Sequence, residues 1–103
     1  MAKLYTIFVG LNDKETKKQE ITTAEAEEHI KAITREAFEG ATISLAYGVY
    51  KHENGVQVTE TTIRIEVVFV EEELVRDYVK DLKEFFNQES IMVTAVETTT
   101  EFW

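Results

Sequence analysis

Apolar positions along this chain alternate in four stretches and recur at helical spacing in two, and that pattern alone lays out the elements. From Leu4 to Leu11, Tyr5, Ile7 and Val9 alternate with Leu4, Thr6 and Phe8, which predicts a first strand ended by Gly10. Both sets are apolar enough to suit a central strand. Asn12 to Glu20 is polar and charged, and reads as an exposed, mobile loop. Thr22-Thr23-Ala24-Glu25 then fits a capping box, in which Thr and Glu satisfy the free donors of a helix start. Behind it Ala26, Ile30, Ile33 and Ala37 form a narrow, alanine-rich stripe with Phe38 beside it, and Gly40 is placed for a left-handed C-terminal stop. A second helix opens at Glu71-Glu72-Glu73, where carboxylates complement the helix dipole. Its stripe is Leu74, Tyr78, Leu82 and Phe85, reinforced by Val75, Val79 and Phe86, with Asn87 as the cap. Ile91 to Val96 is the last strand, which the threonine-rich tail can prolong to Phe102 or Trp103.

Between the helices runs a long hairpin, Thr42 to Val70, turned at His52-Glu53-Asn54-Gly55. Asn54-Gly55 alone as a two-residue loop would set Leu45 opposite Arg64 and mix both faces of the sheet. A three-residue loop, Glu53-Asn54-Gly55, shifts the register by one. His52 then pairs with Val56, Leu45 with Ile63 and Ile43 with Ile65, so that Ile43, Leu45 and Tyr47 join Ile63, Ile65, Val67 and Phe69 on one face. This register predicts a type I turn closed by Gly55 in the left-handed region.

The order is β-α-β-β-α-β. It predicts an α+β ferredoxin-like sandwich over residues 1–103 as one domain, a four-stranded antiparallel sheet with both helices on one face. The crossovers are expected to set strands one and three side by side and parallel.

Charge narrows the partners. Eleven Lys and Arg stand against twenty Asp and Glu, a net charge of −9, which works against nucleic acid and anionic membrane. There is no cysteine, consistent with a reducing compartment, and no apolar run of transmembrane length or secretory leader, so a cytoplasmic protein is expected.

Chemistry is sparse. His29 and His52 form no metal-ligand spacing, and His29 reads as a surface residue flanking the first helix stripe. The glycines are dispersed, so no phosphate-cradling loop is present. Asn12-Asp13-Lys14-Glu15 lacks the ligand spacing of a calcium loop. No catalytic residue, metal or cofactor is predicted. What remains is the sheet face that no helix covers. Phe8, Tyr50, Val58 and Val68 make it more apolar than a solvated face needs, and with Phe102 and Trp103 of the tail they are the predicted homo-oligomer interface. Glu60, Arg64 and Glu66 would lie among these groups as polar contacts for a small ligand, and the turn Gln88-Glu89-Ser90 is a second candidate contact. That turn is also suited to tying the last strand, the second helix and the hairpin together.

Several of these stretches together resemble a small bacterial family of uncharacterised domains, domains of unknown function. They are Phe8-Val9-Gly10-Leu11, Thr22-Thr23-Ala24-Glu25, Gly40-Ala41-Thr42-Ile43 through Ala46-Tyr47-Gly48-Val49-Tyr50, Glu60 with Thr62, and Phe86-Asn87-Gln88-Glu89-Ser90-Ile91. Members often carry an export or lipoprotein leader and an aromatic where Ala26 stands, and the missing leader argues against an envelope location. The resemblance implies the fold and a shared surface around Gln88-Glu89-Ser90, but no activity. The resulting expectation is a self-associating binding or assembly module without catalytic activity, with a dimer favoured and the ligand unknown. The alternative is a small-molecule enzyme of the dimeric α+β barrel type, using a polar cavity on the sheet face; a regulatory trimer on the same topology is a third class.

Overall fold

The computed structural model describes residues 2–51 and 53–103. In chain order come β1 (Ala2–Gly10), α1 (Thr23–Ala37), β2 (Thr42–Lys51), β3 (Gln57–Val68), α2 (Glu72–Phe85) and β4 (Met92–Thr98), the ferredoxin-like order expected. The strands lie in the order β2-β3-β1-β4. β1 and β3 are neighbours as expected, but they run antiparallel, not parallel, with Ile7 opposite Ile65. The crossover through α1 makes β1 parallel to β2, and the hairpin then reverses β3 against both. All three ladders are antiparallel.

The hairpin register is the three-residue-loop register. Ile43 pairs with Ile65 and Leu45 with Ile63, and Gly55 has a φ of 85°. Asn54 Oδ1 accepts the Val56 N–H at 3.0 Å inside the turn. The expected pairing of His52 lies outside the described residues.

Side-chain alternation selects the face the helices cover. Tyr5, Ile7 and Val9 of β1 and Ile63, Ile65 and Val67 of β3 are buried together with Ala26 and Ile30 of α1 and Val75, Tyr78 and Leu82 of α2. Complete burial of an Ile or Leu contributes about 1.5–3 kcal/mol per side chain. One polar pair sits in this core. Thr34 Oγ1 donates to the Ile30 carbonyl at 2.5 Å, so the Tyr78 hydroxyl, 2.8 Å from the same oxygen, is the donor to Thr34. Burial pushes the Tyr78 hydroxyl above its ordinary value.

Helix ends follow their sequence signals at three places and depart at one. Thr22 Oγ1 accepts the Glu25 N–H at 3.1 Å and donates to the Glu25 carboxylate at 2.8 Å. Glu71 precedes the first turn of α2, and Glu72 and Glu73 lie within it. Asn87, with φ 47°, closes α2 by a Schellman motif, in which its own N–H reaches Glu84 O and the Gln88 N–H reaches Lys83 O at 3.0 Å. Gly40, by contrast, is not in the left-handed region. The chain leaves α1 through Phe38 in an extended conformation at φ −135°, which needs no glycine.

Other expectations need correction. Leu74 and Phe85 are about half exposed, because the buried stripe of α2 turns toward Val75, Tyr78, Leu82 and Phe86. Leu45 and Tyr47 are exposed although they share the helix side of the sheet with Ile63 and Ile65. His29 is no simple surface residue: its ring stacks on Phe85 with centroids 3.4 Å apart. In the tail, β4 ends at Thr98, Phe102 contacts Phe69 with ring centroids 5.9 Å apart, and Trp103 is fully exposed. No helix among the described residues is long and apolar enough to cross a membrane.

Candidate functional site

A polar concavity lies where the β1–α1 loop, the distal hairpin and the end of α2 meet. It is a cleft of about 400 Å³, within the range of small-ligand sites. Tyr50, Val58 and Glu60 form its floor, Asn12, Asp13, Lys14 and Lys17 one wall, and Gln88, Glu89 and Ser90 the other.

Glu60 reaches this place through backbone choices on both neighbouring strands. It lies on the uncovered face of β3, directly opposite Gly48 of β2. Its carboxylate lies against Gly10 at the end of β1, where any Cβ would overlap the carboxyl group. The Asn12 N–H then donates to Glu60 Oε2 at 2.9 Å. A charge-assisted bond of this kind fixes a carboxylate more firmly than a neutral one would. Nearby, desolvation first and the Glu60 charge second push the Tyr50 hydroxyl above its ordinary value.

The loop that supplies Asn12 is braced, not loose. Asp13 Oδ1 accepts the N–H groups of Glu15 and Thr16 at 2.8 and 3.1 Å, an Asx-type turn. Asp13 Oδ2 accepts Asn87 Nδ2 at 3.0 Å, and the Lys14 N–H reaches Asn87 O at 3.0 Å. The Asn87 amide and these backbone donors hold the Asp13 carboxyl below its usual range. Gln88, itself buried, donates from Nε2 to Asn12 O at 2.6 Å. The expectation of a mobile segment over Asn12 to Glu20 therefore fails at its start, where the left-handed turn after α2 grips it. The grip comes from Asn87 and Gln88, far away in the chain, so loop composition gave no signal of it.

Of the six predicted ligand contacts, Glu60, Gln88, Glu89 and Ser90 meet in this cleft. Arg64 and Glu66 do not. At about 3.3 Å per residue Arg64 stands roughly 13 Å along the strand from Glu60, where its Nε donates to Ser44 Oγ at 3.2 Å and its guanidinium lies 3.6 Å from Glu66. Glu66 borders a separate, wider groove at the other end of the sheet, beside Phe69 and Phe102. Tyr50 and Val58, predicted for an oligomer interface, line the cleft; Phe8 and Val68 lie elsewhere on the same uncovered face. Asn12, Asp13, Lys14 and Lys17 were not among the predicted contacts. The one available signal was Gly10, which leaves room for a side chain from the neighbouring strand. Among the described residues no cluster of three or more His, Asp or Glu groups is arranged to hold a metal ion.

Residues 4–102 match the family model described as protein of unknown function (DUF3574). The chain belongs to the DUF3574 family. No curated protein matches its sequence. Among solved structures, this DUF3574 chain is similar to a phage SAM lyase in complex with S-methyl-5′-thioadenosine, with 27% identity and a TM-score of 0.69 over 93% of this chain and 81% of that one. The apo state of a phage SAM lyase superposes with a TM-score of 0.60 at 24% identity, over 98% of this chain and 91% of that one. The periplasmic divalent cation tolerance protein CutA from Archaeoglobus fulgidus shares the fold, with a TM-score of 0.64 at 14% identity over 99% of this chain and 88% of that one.

Proposed function

We propose that this DUF3574 protein binds a sulfonium nucleoside of the SAM type in the Glu60 cleft and acts on it as a lyase, releasing S-methyl-5′-thioadenosine. The observation that carries this reading is the fixed Glu60 carboxylate on the cleft floor, in a chain 27% identical over 93% of its length to a SAM lyase. A carboxylate in a partly desolvated cleft favours a cationic ligand centre over a neutral one. Lys14 and Lys17, which line the same cleft, are suited to an amino-acid carboxylate. Release of S-methyl-5′-thioadenosine requires the bond between the sulfonium sulfur and the γ-carbon of the amino-acid chain to break, with its electron pair going to sulfur, while an oxygen of the substrate's own carboxylate bonds to that γ-carbon and closes a five-membered lactone, so that homoserine lactone leaves as the second product and no further reactant is consumed. In this scheme Glu60 orients the sulfonium.

Binding tests the reading. Calorimetry should show S-methyl-5′-thioadenosine and sinefungin, a stable analogue with a cationic amine near the sulfonium position, binding to the wild-type protein. Glu60→Gln should weaken sinefungin at least tenfold. Gly10→Ala, whose Cβ displaces the carboxylate, should reproduce that loss with little change in stability. No binding of either ligand to the wild type would reject the proposal.

We also infer self-association through the uncovered sheet face, a dimer being the favoured form. Support comes from Phe8, Val58 and Val68, which are apolar on a face no helix of this chain covers. Val68→Glu, away from the cleft, should shift the mass measured by light scattering toward one chain. A wild-type protein that scatters as one chain at micromolar concentration removes this part.

A further inference from the structure

We propose that Gln88 is a positioning residue: it anchors Asn12 through its carbonyl, so that the N–H of the same residue, one peptide group back, holds the Glu60 carboxylate toward the cleft. This rests on the reading of Glu60 as the group that meets a cationic ligand. Both faces of one short segment are used. The Asn12 carbonyl accepts Gln88 Nε2 at 2.6 Å, and the Asn12 N–H donates to Glu60 Oε2 at 2.9 Å. Gln88 has little freedom to do anything else. It is 9% exposed, its backbone N–H is committed to Lys83 O in the Schellman turn, and its amide also reaches Phe86 O at 3.3 Å.

Three segments far apart in sequence thus converge on one carboxylate: the end of β1, the distal part of β3 and the turn after α2. Asn87 braces the same loop one residue further on, through the Asp13 carboxylate. Without the Gln88 amide, the Asn12 carbonyl loses this partner, and its peptide group keeps only the Asp13 N–H bond to Lys18 O at 2.8 Å, which leaves Asn12 held from one side. The Glu60 carboxylate would then lose its backbone donor while remaining on the same strand. Gln88 therefore acts on ligand charge through Asn12 and Glu60, not through contact with the reacting atoms.

The test is amide hydrogen exchange by NMR together with a comparison of charged and neutral ligands. In Gln88→Ala the Asn12 amide should exchange at least tenfold faster, as it should in Glu60→Ala, while amides within α1 and the centre of β3 keep their wild-type rates. Retained Asn12 protection in folded Gln88→Ala overturns the proposal whether or not any ligand binds. If Gln88→Ala does not fold, Gln88→Glu, which keeps the size and removes the donor, replaces it in the same measurement with the same two outcomes. For the wild type that binds ligand, Gln88→Ala should lower the affinity ratio of sinefungin to S-methyl-5′-thioadenosine at least fivefold. Equal losses for both ligands would mean a general structural role and would also overturn it. Failure of the wild type to bind either ligand rejects the sulfonium reading alone, because the exchange result at Asn12 stands apart from it.

Discussion

Ile63 and Ile65 are sealed from solvent, whereas Leu45, Tyr47 and Val49, on the same side of the same hairpin, are 51%, 74% and 71% exposed. The two regions have the same apolar alternation and the same register. They differ in what lies above them. The 15 residues of α1 and 14 of α2 make helices of about 21–22 Å, while the 12 residues of β3 extend about 40 Å. The hairpin therefore projects beyond the helix layer, and its distal half carries an apolar row over which no element among the described residues lies. On the opposite face of that same projecting half stand Tyr50, Val58 and Glu60. The half of the sheet that contributes least to the core is the half that builds the cleft.

Substitutions should separate the two regions cleanly. Ile65→Ala removes a fully buried side chain from the covered half and should cost about 2–5 kcal/mol in urea unfolding. Val49→Ala in the projecting half should change the stability of a single chain by no more than about 0.5 kcal/mol. A comparable loss at Val49 would mean that the projecting row is covered in solution, and dependence of that loss on protein concentration would identify a second copy as the cover.

A smaller effect is expected at the polar pair inside the covered half. Tyr78→Phe removes the donor to Thr34 and should cost about 1 kcal/mol. Because burial raises the Tyr78 hydroxyl above its ordinary value of 10.0, its contribution is fully present below pH 10 and is lost as pH rises through the higher folded value. Tyr78→Phe should therefore lose less stability than the wild type between neutral pH and the region above pH 10; equal alkaline losses would contradict this.

The smallest effect belongs to the brace of the cleft. Asp13 is held below its ordinary 3.8, so its contribution is present above that pH and disappears as pH falls through the lower folded value. Asp13→Asn should flatten the stability curve below pH 4, and an unchanged acid limb would show that the Asn87 contact does not stabilise the folded chain.

The same comparison explains what the sequence made legible. The hairpin register followed from side-chain alternation and the left-handed tolerance of Gly55, both local properties. Thr22, Glu25 and Asn87 were readable as caps because helix ends have local chemistry. Coverage was not readable, since it depends on how far helices extend over strands distant in sequence; hence the error at Leu45 and Tyr47. The direction of β3 against β1 was misread, although the split crossover and the hairpin together imply it. Glu60 and Gln88 emerged as candidates because a charged group on an apolar face and a polar turn stand out in a sequence. Their connection did not, because it runs through the backbone of Asn12, where any residue type offers the same N–H and carbonyl. Arg64 and Glu66 were grouped with Glu60 by alternation, which places residues on a face and says nothing of their distance along it.

The most direct test is to incubate the purified protein with S-adenosylmethionine and follow S-methyl-5′-thioadenosine by liquid chromatography and mass spectrometry, beside Glu60→Gln and a protein-free control. The wild type should release it well above the control, and Glu60→Gln should reduce that release at least a hundredfold. Release by the wild type no faster than the control, or release unaffected by Glu60→Gln, would contradict it.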